Sequence, residues 1–75
     1  MTLDLGKVNQ TYEIQKSNLP LNVEKRLEAL GMTLGSTVDI LNNKNKGTLI
    51  IKVRGTRFAI GKGISKKICV KEMKE

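Results

Sequence analysis

No apolar run in this chain is longer than three residues, as in Leu49-Ile50-Ile51, and over most of its length apolar residues alternate with polar ones. A run of three is far too short for a membrane-spanning helix or for the apolar stretch of a signal peptide. Alternation with a period of two is the mark of a strand with one dry face and one wet face. The chain must therefore build its core from short strands. Only Asn22 to Leu30 departs from this pattern. There Val23, Leu27 and Leu30 fall at i, i+4 and i+7, the spacing of one helix face. Asn22 is the expected N-cap, and Gly31 stands where a left-handed residue would end the helix. Met32 is placed to fold back onto it. A helix of about nine residues does not persist alone in water, so it must pack on the sheet.

The expected strands are Thr11 to Lys16, Thr37 to Leu41, Thr48 to Arg54, Arg57 to Ile60, and a short one through Ile68 and Val70. Pro20 stops pairing after the first. Asn42 to Gly47 reads as a polar hairpin loop and Gly55-Thr56 as a two-residue turn. Gly61 to Lys67, anchored by Ile64, reads as a 3₁₀ turn. Both chain ends are short and polar and are expected to fray. The expected core is Ile14, Val23, Leu27, Leu30, Val38, Ile40, Ile51, Val53, Phe58, Ile60, Ile68 and Val70. Leu49 also points inward, and Ile50 is the apolar exception on the outer face. Five short strands, tight turns and one short helix predict a mostly β domain, a small closed or nearly closed barrel.

The 75 residues suffice for one domain, residues 1–75, with no linker or repeat. A domain of this size buries only about 60% of its unfolded surface. Composition removes several functions. There is no His, so neither a Ser-His-Asp triad nor a His–Cys zinc finger can be built. The single cysteine, Cys69, excludes an internal disulfide and leaves the cytoplasm as the default compartment. It reads as a half-buried filler, with no imidazole to activate it. Glu24 and Glu28 lie at i, i+4 but read as solvated helix charges. Gly61-Lys62-Gly63 lacks the spacing and the following Ser/Thr of a P-loop. The chain is thus not expected to be an enzyme.

Charge is divided along the chain. Residues 1–40 carry four bases and five acids, a net of −1, whereas residues 41–75 carry ten bases and two acids, a net of +8. A basic half attracts an acidic protein surface or nucleic acid, and it also keeps a small β protein soluble. A basic barrel binding nucleic acid is the alternative function. The two aromatic residues, Tyr12 and Phe58, are few for base stacking.

The segment Arg26-Leu27-Glu28-Ala29-Leu30-Gly31-Met32-Thr33-Leu34-Gly35-Ser36-Thr37-Val38 resembles the "RLxxLGhxxGxxV" signature of the FeoA family, and Leu49 to Gly55, Phe58-Ala59-Ile60, Ile64 and Ile68-Cys69-Val70 resemble its later strands. The resemblance runs from about Thr11 to Val70. It implies an SH3-like barrel of five to six strands with one short α-helix and a 3₁₀ turn. The same module forms the C-terminal domain of iron-dependent repressors; with no DNA-binding domain ahead of it here, the stand-alone type is expected. Gly61 and Gly63 depart from the family pattern, in which Arg and acidic residues are usual, and Lys62 alone keeps a basic group.

The resemblance implies a cytoplasmic accessory or regulatory protein of bacterial ferrous-iron uptake. Its implied partner is the membrane ferrous-iron transporter with its cytoplasmic GTPase domain. No nucleic acid and no membrane insertion are expected, and homo-oligomerisation is left open. The expected docking surface combines the outward bases Arg54, Arg57 and Lys62 with Met32 and Leu34 as exposed apolar groups. No cofactor or resident metal is expected, since one thiol and scattered carboxylates are a thin ligand set for Fe(II). Calorimetric titration is expected to show no Fe(II) or Zn(II) binding tighter than the high-micromolar range. A stoichiometric low-micromolar site would overturn this and point first to Cys69 with a nearby carboxylate.

Overall fold

In a computed structural model, which describes residues 1–44 and 47–73, the alternating segments form five strands in one antiparallel sheet. In chain order these are β1 (Thr11–Ser17), β2 (Thr37–Lys44), β3 (Thr48–Val53), β4 (Thr56–Ile60) and β5 (Ile68–Glu72). Helix α1 (Leu21–Ala29) links β1 to β2, and the four-residue α2 (Lys62–Ser65) lies between β4 and β5. Alternation places the core as expected: Val38, Ile40, Leu49, Ile51 and Val53 have no exposed surface. No helix among the described residues is long and apolar enough to cross a membrane.

The expected barrel is not formed. The sheet has the open order β4-β3-β2-β1-β5, and β4 and β5 are its two edges. Strand number and turn spacing are local properties, whereas closure requires two edges to meet. Here the core is capped instead by α1 and by a 3₁₀ turn at Leu3–Leu5, which buries Leu3 completely. The expected 3₁₀ turn after β4 is instead α2, although its anchor Ile64 does pack against the core.

Contrary to expectation, the N-terminal residues do not fray. Thr2 bridges Cys69, and the Val70 N–H donates to the Met1 carbonyl at 2.8 Å, so the outer edge of β5 is covered. Tyr12, also outside the expected core list, is 2% exposed. Its buried hydroxyl is satisfied by the Lys7 N–H at 2.8 Å. A Cβ on Gly6 would collide with the Ile40 side chain and touch the Tyr12 ring, so the chain can pass this close only at a glycine.

Helix α1 begins one residue earlier than expected. Pro20, not Asn22, is the N-cap, and its carbonyl accepts from the Val23 and Glu24 N–H groups at 3.0 and 2.9 Å. Proline lacks the N–H that an N-cap does not use, and the exposed Asn22 makes no cap bond. The other end behaves as the sequence suggests. Gly31 has φ +96°, its N–H reaches the Glu28 carbonyl, and the Met32 N–H reaches the Leu27 carbonyl. This is the paired Schellman pattern, with Leu27 and Met32 buried together beneath it. Leu30, expected in the core, turns outward at the cap, and Val23 and Phe58 are only partly buried.

Two turns are shifted. Register pairs Val53 with Thr56, so the β3–β4 turn is Arg54-Gly55, with φ of +50° and +84°. Both values suit a type I′ hairpin turn, which matches the twist of the strands. Strand β2 runs on through Asn42, Asn43 and Lys44, past a register shift between Ile40 and Asn42, into what was expected to be loop. Asn45 and Lys46 of that loop lie outside the described residues.

Replacing Leu3 by Ala is expected to cost ~2–5 kcal/mol in urea denaturation, as for a core leucine rather than a frayed end. Gly31→Val is expected to cost more than ~1 kcal/mol, because a β-branched residue is strained at positive φ. A Cβ at Gly31 would also stand 3.1 Å from Cδ of Arg54. A Gly31→Val protein that unfolds with the parent would contradict the cap.

Candidate partner-binding surface

The three bases expected to meet a partner lie along one edge of the sheet. Arg54 is in the turn that leads into β4, Arg57 is the second residue of β4, and Lys62 opens α2 just after it. All three are exposed. Two of the three stems, those of Arg54 and Lys62, lie over glycines. The Arg54 side chain lies over Gly31, and Lys62 lies over Gly47, where an added Cβ would be 3.0 Å from its own. Arg57 stands opposite Lys52 on β3, and Lys52 stands opposite Asp39 on β2. Asp39 is engaged by the Thr11 hydroxyl, which donates to Oδ1 at 2.6 Å. The wet face thus runs from basic at the β4 edge to a hydrogen-bonded acid at its middle.

The two apolar members of the expected surface behave differently. Met32 is 6% exposed, because the Schellman cap folds it onto Leu27, so it is not the exposed apolar group expected. Leu34 is 67% exposed, but it borders a separate groove between α1 and the sheet. That groove is small and open to solvent, and it lies over Ile14, Leu27, Met32 and Ile68. Glu24 and Glu28 line its helix side. The groove is acidic on its helix side, whereas the β4 edge is basic.

Sequence reasoning missed the edge itself. Alternation marks which way side chains point, but it does not tell which strand lacks a neighbour. The I′ turn makes Val53–Thr56 a hydrogen-bonded pair, and antiparallel pairing alternates from there. Arg57 and Ala59 therefore turn their N–H and C=O groups away from β3, toward the free side of β4. Among the described residues, no group of three or more His, Cys, Asp or Glu side chains could hold a metal ion. Cys69 is half-buried in β5 and unpaired with sulfur.

Comparison with known proteins agrees with this architecture. A family model described as the FeoA domain matches residues 1–72. A protein of Methanocaldococcus jannaschii, provisionally named Fe(2+) transport protein A, is 30% identical over 70 residues, covering 93% of this chain and 84% of the relative. The crystal structure of an iron uptake regulatory protein, FeoA, superposes with a TM-score of 0.87 at 29% identity and 97% coverage of both chains. The zinc-bound repressor ScaR shares the fold, with a TM-score of 0.82 at 20% identity over 97% of this chain and 37% of that one.

Proposed function

This chain belongs to the FeoA family, the accessory domain of ferrous-iron transport, and from that premise we propose that it works by docking onto the cytoplasmic, GTPase-containing part of a ferrous-iron transporter. Family members are non-catalytic accessory proteins, and a cytoplasmic location goes with that membership. The observation that carries the docking surface is the exposed basic line Arg54, Arg57 and Lys62 beside the unpaired edge of β4. Such a line steers an acidic partner by long-range attraction. Met32 and Leu34 line the groove beside α1 and are not assigned to this line.

Nucleic-acid binding is less well supported. Single-strand binders stack bases on exposed aromatic rings. Here Tyr12 is buried with its hydroxyl engaged, and Phe58 packs against the core.

The test is a binding assay of the purified protein against the transporter's cytoplasmic domain at two salt concentrations. The double variant Arg57→Glu, Lys62→Glu spares Arg54, whose stem covers the helix cap. Its association rate is expected to fall about tenfold or more at low salt, with a weaker salt dependence. Its stability should change little, since both sites are exposed. Unchanged association would remove the basic line as the docking surface. Tight, salt-sensitive binding of single-stranded RNA with no binding to the transporter domain would overturn the docking reading.

A further inference from the structure

We propose that the free edge of β4 receives an extended acidic segment of the partner protein as a sixth, antiparallel strand. The inference rests on the docking reading for the class of partner, and it specifies the contact.

Three observations converge on this edge. The first is an asymmetry between the two ends of the sheet. The outer edge of β5 is covered by the chain itself, through the Thr2–Cys69 bridge and the Val70–Met1 hydrogen bond. On β4, register directs the N–H and C=O groups of Arg57 and Ala59 outward, and no described backbone group outside the sheet bonds to them. Unpaired groups of this kind are a template for an added strand.

The second is the set of side chains that the added strand would meet. Its residues opposite Arg57 and Ala59 would share the wet face with them. Arg57 extends over that face, Arg54 and Lys62 flank the two ends of β4, and Ala59 is small and gives room for a longer side chain. Acidic residues at these alternate positions complement all three bases. The third is Phe58 of the edge strand, which packs against the core yet stays partly exposed. An apolar residue between the two acids would cover it. The segment recognised is thus extended and reads acidic, apolar, acidic.

The probe is an acetylated and amidated peptide, Thr-Glu-Val-Glu-Val-Thr, titrated into the isotope-labelled protein. Binding is expected to shift the Arg57 and Ala59 amide resonances and to slow their hydrogen exchange about tenfold or more. The same peptide N-methylated at both Glu residues lacks the donors that face β4, and it should not bind. A peptide with Lys in place of Glu should not bind either. In the protein, Ala59→Pro removes one outward donor while leaving the ladder to β3 intact, since that N–H does not face β3. It should weaken peptide and transporter-domain binding about tenfold or more, with the Leu27 and Met32 amide signals unmoved. If Ala59→Pro fails to fold, the N-methylated peptide makes the same test on the unaltered protein.

Resonance changes confined to Leu27, Met32 and the α1 groove would overturn the edge proposal, as would equal binding of the native and N-methylated peptides. Equal transporter-domain binding by the parent and a folded Ala59→Pro variant would overturn it while leaving the docking reading in place. Selective peptide binding at Arg57 and Ala59, with no transporter-domain binding by the parent, would support the edge and remove the docking reading.

Discussion

The pairing of β1 with two neighbours holds this molecule together. Strands β2, β3 and β4 form a meander in which sequential strands are neighbours. Strand β5 enters the same sheet only because β1 accepts it on the side away from β2. The connection after α1 depends on β1 as well. The Ile14 N–H donates to the Ser36 carbonyl at 2.9 Å, and the Gly35 N–H donates to the Ile14 carbonyl at 2.8 Å. A slip of one residue in β1 would turn Tyr12 and Ile14 to solvent and carry Glu13 into the core, so the register is strongly specified. The register shift between Ile14 and Lys16 shows where β1 adjusts its pairing to β5.

What could be read from the sequence was what nearest neighbours decide. Alternation correctly assigned Val38, Ile40, Leu49, Ile51, Val53, Ile68 and Val70 to the dry face. Gly31 was legible because a short apolar helix face followed at once by glycine has few other meanings, and its φ agrees. The features that could not be read depend on distant parts of the chain. Met1, Leu3 and Leu5 are all apolar, and nothing local tells which is buried until β5 and α2 arrive beside Leu3. Openness of the sheet is equally remote from any local pattern. Met32 illustrates a conflict within a single motif: the same cap that made Gly31 predictable requires the C″ residue to turn inward, which removes Met32 from the surface.

The division of charge along the chain becomes a division in space. The first half supplies α1, where Glu24 and Glu28 line an apolar groove. The second half supplies the β4 edge with Arg54, Arg57 and Lys62. Net charge alone describes a uniformly basic object, but the folded molecule presents two surfaces of opposite character. On the proposed reading, a partner drawn by the field of the second half would meet the outward backbone groups of β4 at the same place.

The strap that Met1, Thr2 and Leu3 lay across β5 also bears on how the protein folds. Residues 2 and 69 must meet before Leu3 is enclosed and the β5 edge is covered. The enclosure of Leu3 is therefore a long-range event, and the chain must close a loop of nearly the whole described length to achieve it. The entropic cost of such closure grows only slowly with loop length. Contacts between residues this far apart in sequence raise the contact order, which slows folding relative to a chain of the same size held by local contacts.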